Sequence, residues 1–327
     1  MTDTSQYRRG LHEVADGIHA YLQPDGTWGW SNAGLIAGAG ASVLVDTLFD
    51  LQLTAAMLET MAPHTDAAPI TTVVNTHANG DHCYGNQLVA GPGTAVDVIS
   101  SARAAEEMDE VPPSLLSALM SADLPDPLGP YLHHAFGRFT FDGIEPPPVT
   151  RPFTGALDVE VAGRSVSLRE VGPAHTGGDV IAWLPEERVL FAGDILFIGG
   201  TPIMWAGPIG NWIAACRLIE DLDPAVVVPG HGPLTDVAGV REVRAYLELV
   251  DQGTRARHAA GMGPTEAARD LDLEVNGTRF AGWTDRERLV ATVHGAWRDL
   301  EPRYGGPDIV TLLTEMAEDF ARRTSGA

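Results

Sequence analysis

The chain has 327 residues, 44% of them hydrophobic and 20% charged, so it carries ample apolar material for a globular core. Its net charge is -23 and all 21 basic residues are arginine, so the surface repels nucleic acid and anionic membranes, and neither is an expected partner. Cys83 and Cys216 are too few for a disulfide framework. No apolar run suited to a signal peptide or a membrane helix stands out, and a soluble cytoplasmic protein is expected.

Residues 11–50 read as short strands, "GIHAYLQ", "NAGLIAG" and "ASVLVDT", joined by Gly and Asn turns. "LQLTAAMLETMAP" is rich in helix formers and should close at Pro63. The β-branched "ITTVVNTH" reads as a buried strand. "GNQLVAG" opens a helix, "AVDVIS" is a strand, and "SARAAEEM" is a serine-capped helix. Residues 108–155 are proline-dense, with short helices at "SALMSA" and "YLHHAFGRF", and read as a lid-like insertion. Strands resume with a hairpin turning at Ala162-Gly163, then "DVIAWLP" and "RVLFAGD". "NWIAACRLIEDL" is an amphipathic helix and "AVVVPGHG" a strand ending in histidine. From about 237 the pattern is mainly helical.

Five places put a metal-competent side chain at the end of an apolar strand. They are His77-x-Asn79-Gly80-Asp81-His82, His175 in "GPAHTGGD", Asp194 in "LFAGDILF", His231 in "VVVPGHGP" and Asp46 in "VLVDT". If those strands lie side by side, four imidazoles and the Asp81 and Asp194 carboxylates meet, with Asp46 as support, which is a donor set for one or two divalent ions. Adjacent glycines permit tight turns and close backbone approach. Asp46 either orients a ligand or caps a turn, and Cys83 beside His82 reads as a packing residue.

These motifs, in this order, resemble the metallo-β-lactamase-fold hydrolases from about residue 10 to about 235. The resemblance implies an α/β fold, a four-layer αββα sandwich, as a single domain over 8–327 with the 108–155 insertion and a helical extension at 237–327. It also implies that His77, Asn79 and His175 face a first metal, that Asp81, His82 and His231 hold a second, that Asp194 bridges, and that Asp46 orients a ligand histidine. The family pattern has histidine where Asn79 stands. An amide is the poorer donor, so the first position should be weakened. Two metals, one metal and no functional metal all remain open, with at least one favoured. Zinc is the first choice, iron or manganese the alternatives.

The implied chemistry is hydrolysis of an ester, thioester or amide, with the cation activating water and Asp81 acting partly as general base. "GDILFIGGTPIMWAGPIGNWIAACRLI" and "GPAHTGGDVIAWLPE" are similar to bacterial cyclase-thioesterases of carrier-bound aromatic polyketides. That implies a small apolar acyl substrate, a carrier-bound acyl thioester among the forms it could take. Met204, Trp205 and Trp212 are then candidate pocket walls, and His133 and His134 candidate lid residues. The alternatives are a cyclase using the metal as Lewis acid and a non-catalytic small-molecule binder. The oligomeric state is not readable.

Overall fold

A computed structural model describes residues 7–325. Residues 1–6, part of the stretch read as lacking a leader, and residues 326–327, at the end of the expected domain, lie outside the described residues. The chain opens as an antiparallel meander of β1 (Gly10–Ala15), β2 (Ile18–Leu22), β3 (Ala33–Ala37) and β4 (Ser42–Val45). Helix α1 (Leu51–Thr65) then crosses over to β5 (Ile70–Val74). The next strands, β6 (Asp97–Ser101) and β7 (Arg151–Phe153), continue the sheet in parallel with β4 and β5. Parallel pairing requires such crossovers, and the β5–β6 connection carries α2 (Gly80–Cys83) and α3 (Gln87–Ala90).

A second sheet runs in the order β12-β11-β10-β9-β8. Its strands are β8 (Ala156–Val161), β9 (Arg164–Glu170), β10 (Val180–Leu184), β11 (Val189–Phe197) and β12 (Val226–His231). Helix α7 (Ile209–Leu222) carries the chain from β11 to the parallel β12. The β8–β9 hairpin turns at Ala162 and Gly163, both in the left-handed region at φ 52° and 83°.

The two sheets face each other through one apolar layer, with Ile18, Val43 and Val74 from the first against Val166, Ala182 and Phe191 from the second. On the outer face of the first sheet, Leu35, Leu44 and Val73 pack on Met57 and Met61 of α1. Outside the second sheet, Ile181, Leu190 and Ala192 share a core with α7 and with α8 (Val237–Ala259). This is the expected αββα sandwich. Strands β10 and β11 are buried along their whole length, because both faces are covered. The expected helical extension continues through α9 (Pro264–Asn276), α10 (Arg288–Leu300) and α11 (Ile309–Ser325).

After α4 (Ala102–Glu107), which is capped by the Ser101 hydroxyl, the proline-dense segment forms α5 (Pro113–Ser121) and α6 (Leu128–Phe136). Helix α6 lies against α11, with Tyr131 and His134 on Phe320. One boundary differs from expectation: α1 runs two residues past Pro63. In the last turn a proline removes only one helical hydrogen bond, and the Asp66 N–H still reaches the Ala62 carbonyl at 2.9 Å. Among the described residues, no helix is long and apolar enough to cross a membrane.

The inter-sheet layer leaves no room at Gly34, where a Cβ would overlap the Phe191 ring. Gly34→Val should therefore cost about 1–3 kcal/mol by overpacking. Urea unfolding checks this, and an unchanged midpoint would show that Phe191 moves aside freely.

Candidate metal centre

Four loops at one edge of the sandwich carry the polar side chains. Beyond β5, Asn75 and Asn86 lock the first loop: the Asn75 amide donates to the His82 carbonyl at 2.8 Å, and the Asn86 amide donates to Asn75 Oδ1 at 2.7 Å. This winds residues 79–83 into α2 and turns Asp81 and His82 inward, both buried. The "HTGGD" loop is tied by Asp179, whose carboxylate accepts from the Ala174 and Thr176 N–H groups and the Thr176 hydroxyl. Burial pushes the Asp179 carboxyl up to about 7.

Asp194 lies inside β11 rather than beyond its end. Register slips at Gly193, which has φ 51°, and this turns the carboxylate out of the strand pairing. Beside it Gly230 must lack a side chain, because a Cβ there would overlap Asp194 Oδ1.

All four histidines are held from behind through Nδ1. His77 meets the Thr76 hydroxyl at 3.0 Å, His82 meets Asp46 at 2.9 Å, His175 the Ile203 carbonyl at 2.6 Å and His231 the Gly26 carbonyl at 3.1 Å. With Nδ1–H donating outward, each ring in its neutral form presents the Nε2 lone pair inward, and on His82 a cation would have to displace the proton that the carboxylates favour. Asp46 also accepts from the Thr76 N–H at 2.7 Å and from its hydroxyl at 2.8 Å. The Thr76 hydroxyl proton thus points at Asp46, which leaves its oxygen to accept from His77. Asp46 does this from a left-handed backbone at φ 60°, a conformation that costs a non-glycine residue energy.

The inward groups form two sets sharing one carboxylate. Asp194 Oδ2 stands 3.3 Å from His175 Nε2 and 3.7 Å from His77 Nε2. Its Oδ1 stands 3.1 Å from His82 Nε2 and 3.5 Å from His231 Nε2. Asp81 Oδ2 completes the second set, 3.2 Å from His231 Nε2. Donors about 2.1 Å from a tetrahedral ion sit about 3.4 Å from one another, so these spacings suit a cation in each set. His77, His175 and Asp194 form one group with metal-ligand spacing, and Asp81, His82 and His231 form another.

Charge supports the same reading. Burial works against ionised His82, but Asp194, Asp81 and Asp46 outweigh it and hold its pKa well above the ordinary range. Burial alone would raise Asp194, yet His231, His82 and His77 hold it well below. Burial, with His82 adjacent, drives His77 far down. His77 Nε2, His82 Nε2 and Asp194 Oδ1 are buried without a hydrogen-bond partner. Such orphaned atoms are costly unless something else satisfies them, and a divalent cation fits that need.

Asn79 sits half-buried on the more open side of the first set, with its amide nitrogen 3.2 Å from His175 Nε2. An amide flip exchanges N and O in this position, so Oδ1 can face the same point. Of the candidate pocket walls, Trp205 is partly buried and its backbone N–H donates to the His175 carbonyl at 2.8 Å. Met204 and Trp212 are fully buried, so they are core and not open wall. The amphipathic face of α7 turns Trp212 inward, where it donates to the Ile195 carbonyl and packs edge-on against His175. His133 and His134 are both exposed on α6, and His134 lies over Phe320.

Several supports carried no recognisable motif. The Ser31 hydroxyl donates to the Asp81 carbonyl, and the Asn32 amide donates to the Pro229 and Gly232 carbonyls at 3.0 and 2.8 Å. Trp28 donates to Glu287 at 2.9 Å. Asp179 stood within the quoted "GPAHTGGD", where its spacing from Thr176 was the available signal.

Residues 26–231, more than half of the chain, match the family profile described as "Metallo-beta-lactamase superfamily". The α subunit of a 2,4-dinitroanisole O-demethylase from Nocardioides sp. is 25% identical over 283 residues, which is 85% of this chain and 70% of that protein. A beta-lactamase-like protein 2 homolog from Caenorhabditis elegans is 34% identical over 92 residues, 28% of this chain and 30% of the relative. Among solved structures, a stereoselective inverting sec-alkylsulfatase from Pseudomonas sp. superposes with TM-score 0.66 at 17% identity. That alignment covers 92% of this chain but only about half, 52%, of the sulfatase. A metallo-beta-lactamase from Pontibacter korlensis gives TM-score 0.53 at 19% identity over 74% of this chain and 99% of its own. On the site geometry and the profile match together, the chain belongs to the metallo-beta-lactamase superfamily.

Proposed function

We propose that the protein is a metal-dependent hydrolase that cleaves an ester, thioester or activated aryl ether of a small, uncharged, largely apolar compound. The observation that carries this is the shared Asp194, each of whose oxygens faces its own pair of imidazoles. His77, His175 and Asp194, with Asn79 as a weak fourth donor, would hold one cation. His82, His231, Asp81 and Asp194 would hold another. Each set would offer two imidazole nitrogens and two oxygens, a mixed donor set that suits zinc and also iron or manganese. A cation bound here supplies Lewis acidity and brings the pKa of coordinated water towards neutrality.

The chain's own groups divide the remaining work. The Asp81 side chain, 12% exposed, is more open than Asp194 at 3%. Its pKa is lowered, because His82 and His231 overcome the effect of burial, so the group is a carboxylate, and the oxygen not turned to His231 is the one left to accept a proton. Trp28 lies 6.5 Å from Trp205 and 5.6 Å from Phe136, ring centre to ring centre. Both tryptophans belong to segments that hold ligand histidines, so this cluster is a natural apolar wall beside the centre. The Nocardioides relative is a subunit of a 2,4-dinitroanisole O-demethylase, and this lends the aryl ether class its weight.

Chelation should abolish turnover of a nitrophenyl ester or of 2,4-dinitroanisole, and zinc, iron or manganese should restore it. Full activity in metal-free protein would refute the reading. Asp81→Ala should lower kcat/KM at least about a hundredfold, measured at equal metal content. Asn79→His should raise metal content from near one to near two equivalents by elemental analysis. An unchanged content would place Asn79 outside the ligand set.

A further inference from the structure

Arg288 opens α10, beyond the residues matched by the family profile, and is 1% exposed. Its guanidinium lies 4.2 Å from the Trp28 ring centre and 5.4 Å from that of Phe197. Asp285 approaches at 3.1 Å and the Thr201 carbonyl at 3.4 Å, while Nε has no hydrogen-bond partner. The cation is thus held in large part by aromatic faces, an arrangement suited to a planar guanidinium and poorly served by an ammonium.

Each of those rings leads to His231. Phe197 stacks on the His231 imidazole, 5.1 Å between centres and 8° between planes. Trp28 lies two residues after Gly26, whose carbonyl accepts the His231 Nδ1–H. Glu287, next to Arg288, fixes the Trp28 indole and also accepts from the Tyr131 hydroxyl at 3.3 Å. One buried side chain therefore abuts one support of a candidate ligand, Phe197, and the segment that carries the other, through Trp28.

We propose that Arg288 is a positioning residue for the second metal set: it clamps Trp28 and Phe197, and through them holds His231 in its ligating pose. The helical extension then belongs to the metal centre. The inference rests on the metal reading above, and its test separates the two. Apo-protein is titrated with cobalt(II) and followed by visible absorption, which reports the ligand field. Arg288→Lys keeps the charge and the pairing with Asp285 but loses the planar contact. It should weaken the first cobalt equivalent about tenfold and change the spectrum.

Arg244→Met is the control, because Arg244 joins Glu220 and Glu248 between α7 and α8. Per folded molecule it should bind cobalt like the wild type. If Arg288→Lys does not fold, Trp28→Leu removes one aromatic face and should shift the affinity in the same direction. Wild-type affinity and spectrum in the folded Arg288 variant, or in Trp28→Leu when that variant does not fold, would overturn the positioning role. Equal weakening in Arg244→Met would reduce the effect to general stability and overturn it too. Absence of cobalt binding in the wild type would instead sink the metal reading.

Discussion

The structure depends on keeping two buried carboxylates and four buried imidazoles from collapsing into ordinary ion pairs. Each imidazole is pulled outward through Nδ1 by an acceptor behind it, and this leaves the Nε2 atoms facing an enclosed point beside Asp194. Burying charge without full pairing costs several kcal/mol per ion. A fold that accepts this cost must have its loops fixed by the rest of the sandwich. The acceptors come from separate places: Thr76 and Asp46 from the first sheet's edge, Ile203 from the segment after β11, and Gly26 from the loop between β2 and β3. The ligand geometry is therefore a property of the whole sandwich and not of any one motif.

That constraint explains which features were legible in the sequence. Side chains able to hold a metal must be particular residue types on particular turns, so the candidates His77, Asp81, His82, His175, Asp194 and His231 stood out against their apolar strands. The four layers were legible in outline because buried parallel strands read as continuous apolar runs. The supports were harder to read. Two of the four acceptors behind the histidines are backbone carbonyls, Ile203 and Gly26, and a backbone carbonyl has no residue signature. Arg288 meets Trp28 across some 260 positions, and nothing local marks either end of that contact.

The errors have the same origin. Trp212 and Met204 lie in an apolar stretch that suits either a pocket wall or a core; α7 turns Trp212 inward, and Met204, which precedes that helix, packs against Gly295 of α10. Pro63 reads as a stop, yet near a helix end the missing N–H removes only one bond. In both cases the residue type was informative, but its effect was set by a neighbour that composition does not reveal.

Asn79 can be placed within the same logic. The four histidines work because each is buried and braced; position 79 is half-buried on the open side, where bracing is weaker. A neutral amide there gives the first set only the shared Asp194 carboxylate, while the second set has Asp81 as well. Coulomb attraction and donor strength therefore both favour the second set. The asymmetry lies in the positions themselves, since the bracing around His231 extends through Phe197 and Trp28 to α10, whereas Asn79 is only half-buried.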